Sequence, residues 1–417
     1  MAPSPLPLPT TFFESRSLHA DDAKACISLG EQTSVEVIRH SQLEGGPIQW
    51  SFDSEDSNVQ VYSGVDPTAP CRVQTFCAVS LVRGSIDDVA TLFHAGTTEE
   101  CREQAQRFAY SSVDAALLHT LAMPSQATPR HTTAIKWLAL NILPASKTRD
   151  CVYVESTHDF ERHGRRGWVR SLKSIKISTC PDLKHNFQLV RCSIHRAGLV
   201  CLETDVPGVL HITQLMQVNL ESKFPSVVQA TALRRFVRHL GLLQTALWES
   251  KLALHPLLPD HKLVPHSTRG HCYICQRKFN SVVFQTKQSC RLCGQVVCAN
   301  CSKEWNTLVR GGSPTALRAC CACMKHTVVD VSQAVIPVLL EKPRQLMLVR
   351  RADANNPRTR RPESIAPHPW RPEGTTPRPR CSSMPTWYST KPQDGCRDIV
   401  RLRSSLKETR KDVLQWR

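Results

Sequence analysis

Cys290-Arg-Leu-Cys-Gly-Gln-Val-Val-Cys-Ala-Asn-Cys301 holds two Cys-x-x-Cys pairs with four residues between them. Outward from this run, Cys272/Cys275 lies upstream and Cys320/Cys323 downstream, so 52 residues contain four such pairs. Two thiolates separated by two residues grip one tetrahedral ion from a single tight turn, and four such turns supply two complete four-sulfur sites. No open coordination position is left over, so the expected metal is structural rather than catalytic. Nine of the 19 cysteines fall between residues 272 and 323, a density that argues against scattered small core residues. A disulfide framework would need an oxidising compartment. Met1 to Ala20 lacks a charged start followed by an apolar run and a cleavage site, so reduced thiols and a cytoplasmic location are expected.

At 417 residues and 41% apolar, the chain has material for one domain of about 200 residues, one small metal-dependent module and unstructured ends. No segment approaches the roughly 18 to 20 uninterrupted apolar residues that span a bilayer, so membrane contact is expected to be peripheral. The formal charge of +17 points to polyanionic partners, acidic lipid headgroups or nucleic acid, or to a solvated surface with an arginine-rich tail. Nucleic acid is disfavoured: there is no helix-turn-helix pattern, no RNP-type aromatic strand, and only 6% of residues are aromatic.

Upstream of the cysteines, the proline-rich Met1 to Pro9 reads as an extended lead-in. Short strand-like pieces follow from Pro47 to Ser63, and Val73 to Val82 alternates as a half-buried strand does, closed by Gly84. Ser85 and Thr97 look like helix N-caps, Thr97 with Glu100 as a capping box, so two short helices fit here. Past a Ser/Pro/Thr-rich loop near Met123 to Thr133, strand-like runs occur at Ile135 to Leu143, Cys151 to Glu155, Trp168 to Ile177, Phe187 to His195, Leu199 to Thr204 and Leu210 to Leu220. Pro144, Gly164, Pro181, Gly198 and Pro207 separate them. Such short links imply a curved antiparallel sheet. Beyond Pro225 the period changes: Val228, Leu233, Phe236, Val237, Leu240, Leu243 and Leu247 recur every three to four residues, one long amphipathic helix with a soft spot at Gly241. A terminal helix laid across a concave sheet leaves a cavity between them, the helix-grip geometry of an α+β fold.

Residues 73 to 250 resemble the START-like lipid-transfer domains of oomycete proteins that also carry a FYVE-type finger. The resemblance rests on SIDDVATLF, TTEECREQA, SSVDAALLHTL, CVYVES with HGRRGWVRSLKSIKI, CPDLKHNFQLVR and ETDVPGVLHITQLMQVNL. It implies a grip around an apolar cavity with a hydrophobic ligand. Trp137 and Trp168 could line such a cavity or serve as ordinary core aromatics. Cys77, Cys101, Cys151, Cys192 and Cys201 read as small buried residues rather than nucleophiles.

The cysteine spacing and CRLCGQVVCANC resemble a FYVE-type finger. By that resemblance the ligands interleave: Cys272, Cys275, Cys298 and Cys301 would hold one Zn2+, and Cys290, Cys293, Cys320 and Cys323 the other. Cys321 is the one ambiguous thiol. The family binds the 3-phosphate of phosphatidylinositol 3-phosphate with a basic strand, Arg-Arg/Lys-His-His-Cys-Arg, which here is Thr286-Lys287-Gln288-Ser289-Cys290-Arg291. Lys287 and Arg291 match and both histidines are missing. The family's upstream Trp-x-x-Asp is replaced by Leu263 and His266, while Arg318, two before the seventh cysteine, is present. Losing several charge-assisted contacts of about 1.5 to 3 kcal/mol each implies weak or relaxed headgroup recognition. Val282, Val283 and Phe284 form the candidate membrane-insertion loop; alternatively Phe279 and one valine pack on the zinc core.

The runner-up is a RING-type ubiquitin-ligase adaptor or protein-interaction scaffold. A RING normally has histidine at ligand four or five, although Ile274 and Trp305 could mimic its partner surface. No Ser/His/Asp set, carboxylate pair or phosphate-cradling glycine loop has diagnostic spacing, so an enzyme is not expected. The expected organisation is a disordered lead-in at 1–14, a START-like domain at 15–255, the finger at 264–328, a disordered Pro/Arg-rich linker at 340–396 and a short basic amphipathic helix at 397–417 that could meet a protein partner. The implied function is a non-enzymatic, lipid-binding peripheral adaptor at endosomal membranes.

Overall fold

In the computed structural model, which describes residues 6–13, 17–143, 146–279, 286–307 and 315–328, the alternating stretches form one ten-stranded sheet. Its strands are β1 (Gln49–Asp56), β2 (Val59–Val65), β3 (Gln74–Arg83), β4 (Ser112–Ala122), β5 (Thr132–Leu140), β6 (Arg149–Arg162), β7 (Arg165–Ser174), β8 (Val190–Arg191), β9 (Ser193–Glu203) and β10 (Val209–Asn219). They lie in the order β1-β2-β3-β10-β9-β7-β6-β5-β4, with β8 beside β6. Every pair is antiparallel except β6 with β8. The long helices are α1 (Ala20–His40), α3 (Thr98–Phe108), α5 (Ser226–Val237) and α6 (Leu242–Ala253); α2 (Ile86–Leu92) and α4 (Lys184–Phe187) are short, and α7 (Cys321–Val328) ends the described chain. No helix among the described residues is long and apolar enough to cross a membrane.

Helices α2 and α3 start where their capping residues imply. Ser85 accepts the Asp88 N–H at 3.1 Å while the Asp88 carboxylate accepts the Ser85 N–H at 2.8 Å, a complete capping box. At α3 the second half differs from expectation: Thr97 accepts the Glu100 N–H, but Glu100 reaches back to the N–H of Gly96.

The sheet is covered on both faces. Leu233, Val237, Leu240, Leu243 and Leu247 from the terminal helices join Val61, Ala78, Tyr153, Trp168 and Ile212 in the inner core. The terminal helix is not continuous: α5 gives way to a 3-10 turn, Arg238–Gly241, before α6 resumes. Gly241 lies where a Cβ would meet Val59 Cγ2 at 3.3 Å, so the turn hugs β2. Arg234 grips Asp53 of β1 with two bonds of 2.6 and 2.8 Å, and Arg238 reaches Ser54 at 2.9 Å, pinning the helix to the sheet edge.

The structure departs from the sequence pattern at four places. Helix α1 packs on β6, β7 and β9 through small residues: Ser34 Oγ meets Ser171 Oγ at 2.8 Å, and a Cβ on Gly30 would sit 2.8 Å from Ser156 Cβ. Gly198, read as a separator between two strands, lies inside the unbroken β9; a Cβ there would fall 2.4 Å from the Arg170 carbonyl oxygen and 2.8 Å from Val37 of α1. Its absent side chain makes room for a helix rather than for a turn. The stretch expected as a strand over Phe187 to His195 instead holds the end of α4, β8 and the start of β9. Residues 6–13, expected to be an unstructured lead-in, also pack: Leu8 and Phe13 are buried, the Leu8 N–H donates to Asp114 at 2.6 Å, and Phe13 lies 5.4 Å from Trp137. The apolar residues between the prolines supply that contact. The 340–396 linker and the 397–417 helix lie outside the described residues.

Candidate metal centres and ligand sites

Turn geometry brings the eight thiols together. The Gln276 N–H donates to the Cys272 carbonyl at 3.0 Å, and the Gly294 N–H to the Cys290 carbonyl at 2.8 Å, with Gly294 at φ +74°. Each turn aims both sulfurs of its pair at one point. The strands β11 (Lys287–Ser289) and β12 (Val296–Cys298) pair antiparallel, and β13 (Ser302–Thr307) pairs with β14 (Thr315–Cys320). The ligands therefore interleave: Cys272, Cys275, Cys298 and Cys301 form one group and Cys290, Cys293, Cys320 and Cys323 the other, all sulfurs within 4.8 Å of one another in each. Cys275 and Cys298 sulfurs lie 3.8 Å apart and those of Cys293 and Cys320 4.0 Å apart. A tetrahedron with Zn–S bonds of about 2.3 Å has edges of about 3.8 Å, so both groups fit zinc. These separations are far beyond a disulfide bond.

One sulfur in each group, Cys272 and Cys290, is prepared for negative charge. Backbone N–H groups of Cys298 and Cys320 donate to the Cys272 and Cys290 sulfurs, both at 3.3 Å. Burial pushes the Cys272 thiol up, but N–H groups of Cys275, Cys298 and Ile274 outweigh it and bring it down to about 6. Cys290 is drawn down to about 4, chiefly by its hydrogen bond with Cys320. Two zinc ions, each held by four cysteines, are the cofactors. Cys321 is exposed and belongs to neither group.

The finger is docked on the grip domain. Leu252 of α6 is wholly buried in a cluster with Trp305, Leu317, Ala319 and Met324, with Trp248 packed against it. Trp248 and Trp305 meet edge-to-face at 5.7 Å. The Leu258 N–H donates to the Arg291 carbonyl at 2.9 Å and the Val264 N–H to that of Gly294 at 2.9 Å, so the connecting segment runs along the finger. Trp305 is 4% exposed, which removes it from any partner-binding surface of RING type.

Of the residues the sequence marks for a headgroup, Lys287 lies on β11, and Arg291 and Arg318 are backbone neighbours through a 2.9 Å bond from the Arg291 N–H to the Arg318 carbonyl. Each cation already has a protein acceptor. Lys287 donates to the His266 carbonyl at 2.6 Å and lies 5.6 Å from the Phe279 ring. Arg291 pairs with Asp260, and Arg318 reaches Glu304 at 3.1 Å, its directly opposite partner across β13 and β14. His266 contacts Ser289 at 2.8 Å, so residues standing at two altered motif positions touch. Asp260 and Glu304 went unnoticed because neither belongs to the motif. Val282, Val283 and Phe284 lie outside the described residues; Phe279 is packed against the zinc core.

A cavity of about 130 Å³ lies between the sheet and the α5–α6 cover, walled by Leu140, Leu199, Leu233 and Leu240. Lys136, Arg149 and Arg170 also line it, with no Asp or Glu among the lining residues. Behind them is the buried Glu155, which takes Lys136 on one oxygen at 2.6 Å and Arg170 on the other at 2.9 Å. Burial pushes the Glu155 carboxyl up, but Arg170 and Lys136 outweigh it and hold it below the usual range. These charges were legible in part: Lys136 shares strand parity with Leu138 and Leu140, and Glu155 with Cys151 and Tyr153, so both had to face the inner side. Of the two tryptophans considered for the cavity wall, Trp137 is among its lining residues although its ring packs in the outer-face cluster with the indole N–H donating to Asp150 at 2.9 Å, while Trp168 stacks on Phe93 in the inner core and is not among them. Cys77, Cys101, Cys151, Cys192 and Cys201 are all buried; burial pushes Cys101 up to about 11, as befits an unreactive thiol.

Residues 262–328 match the FYVE zinc finger family model. A phosphatidylinositol-3,5-bisphosphate 3-phosphatase of Caenorhabditis elegans is 42% identical over 57 residues, 13% of this chain and 6% of that protein. The human zinc finger FYVE domain-containing protein 26 is 32% identical over 73 residues, 18% of this chain and 3% of that protein. The chain thus spans only a small fraction of either relative. Similar solved structures include human StAR-related lipid transfer protein 5, with TM-score 0.42 and 15% identity over 54% of this chain and 97% of that one. A STAR-related lipid transfer protein of Xanthomonas axonopodis has TM-score 0.32 and 18% identity over 45% of this chain and 98% of that one. Residues 262–328 thus carry a FYVE-type finger, preceded in the chain by the ten-stranded sheet and its helical cover.

Proposed function

We propose that this protein is a non-enzymatic, peripheral membrane adaptor that recognises phosphorylated inositol lipids weakly through its finger and holds a hydrophobic ligand in its grip cavity. The observation that carries the reading is the retention of Lys287, Arg291 and Arg318 on a finger whose two four-cysteine groups are complete. A phosphate can displace the acceptors of these cations, because Asp260 and Glu304 are largely exposed and exposed ion pairs hold weakly. Displacement has a cost, and both motif histidines are missing, so discrimination among monophosphates is low. The similarity to a phosphatase whose name specifies a phosphoinositide supports the ligand class; it covers only the finger, and no catalytic role follows from it. An endosomal address goes with a phosphatidylinositol 3-phosphate-type headgroup. The apolar cavity supports the second part of the reading.

Flotation of the full chain on vesicles containing each phosphoinositide tests the finger. Wild type should float on all three monophosphates, and the K287A/R291A/R318A variant should remain in the soluble fraction. Equal flotation of the two would sink the assignment.

A further inference from the structure

The charges around the grip cavity do not balance. Three cations, Lys136, Arg149 and Arg170, line it, and the carboxylate behind two of them, Glu155, already uses one oxygen for Lys136 and the other for Arg170. One carboxylate can match only one of these charges. Arg149 stands apart: it lies six residues from Glu155 along β6, about 20 Å at strand spacing. Its acceptors are all neutral, the Ser146 hydroxyl and the carbonyls of Lys147 and Leu220. The residue is 4% exposed, and among the described residues no carboxylate pairs with it. Burial alone works against its charge. An ion withdrawn from water without a counter-ion is unfavourable, and a guanidinium offers a planar fork suited to a carboxylate or phosphate. Most of the remaining wall is apolar, with Leu140, Leu199, Phe108, Ile194 and Met216 among its residues, which suits a hydrocarbon tail.

We infer that the cavity takes an amphiphile with an anionic head, a carboxylate or phosphate monoester, and that Arg149 receives that head. This rests on the reading of the cavity as a ligand site. A sterol-like or otherwise neutral apolar ligand would leave Arg149 buried without a counter-ion. Lys136 and Arg170 add positive potential along the same wall, with Glu155 holding both in place.

Calorimetric titration of the full chain with decanoate, decyl phosphate and decanol, each below its micelle concentration, tests the inference. At least one of the two anions should bind wild type at least about tenfold tighter than decanol, the worth of one charge-assisted contact; which one identifies the head. Arg149→Met should lose that preference and keep decanol binding, while Arg149→Lys should retain part of it. Equal binding of all three probes to wild type overturns the inference and leaves a general apolar pocket. An R149M variant that has a native circular dichroism spectrum and keeps the full preference overturns it as well. If no probe binds wild type, the cavity reading fails and the inference fails with it. The wild-type comparison decides even if R149M does not fold.

Discussion

Replacing Trp305 by alanine tests whether finger and grip domain share one core. Trp305 is 4% exposed, meets Trp248 at 5.7 Å and packs with Leu252, which is fully buried. Truncating a buried tryptophan to alanine costs about 3 to 5 kcal/mol, of which an aromatic pair of this geometry supplies about 0.5 to 1.5. For a folded unit of this size each kcal/mol lowers Tm by about 2 to 4 °C, giving a drop of about 6 to 20 °C. The assay is thermal unfolding of the full chain, followed at once by far-ultraviolet circular dichroism, which the sheet and helices dominate, and by zinc release to a chromogenic chelator. In wild type the two signals should share one midpoint, and in W305A both should fall. Because α6 belongs to the inner core of the sheet as well as to the Trp305 cluster, the loss cannot stay within the finger. Two well-separated wild-type transitions, or a variant whose dichroism midpoint is unchanged while zinc leaves early, would refute the shared core.

Gly198→Ala should destabilise by about 1 to 3 kcal/mol through overpacking, because its new methyl group would press on the Arg170 carbonyl and on Val37; an unchanged urea midpoint would contradict that close approach. D260N/E304Q should raise flotation on acidic vesicles in a salt-sensitive manner, since both changes free cations of the finger; flotation equal to wild type would show that these carboxylates do not compete with phosphate. Glu155 has a depressed carboxyl in the folded state despite its burial, so its contribution is fully present above the ordinary glutamate value of about 4.3 and is lost as pH falls through that value toward the folded one. E155Q should cost about 3 to 5 kcal/mol at pH 7, measured by urea denaturation, and should flatten the loss of stability on acidification; an undiminished acid slope would count against this assignment.

The zinc module was legible because its chemistry is local: a Cys-x-x-Cys turn needs only its own residues, and four of them announce two ions. Strands and capping residues were legible for the same reason. Helix α1 was not, because its buried face is Cys26, Gly30, Thr33 and Ser34 as much as Leu29 and Val37, a stripe of small residues with little apolar period. That face is small because the helix lies so close to β6 and β7. Gly198 misled for a related reason, since a missing side chain reads alike at a turn and at a close contact. The pairing of Asp260 and Glu304 with finger arginines and the burial of Trp305 against α6 depend on tertiary contacts that no local pattern encodes.

Leu252 also has a mechanical consequence. The segment roofing the cavity carries the finger on its far end without a slack hinge, through a cluster closed on both sides. A load applied to the finger is therefore passed to the sheet through α6, and the two turn together instead of the finger tumbling on a tether.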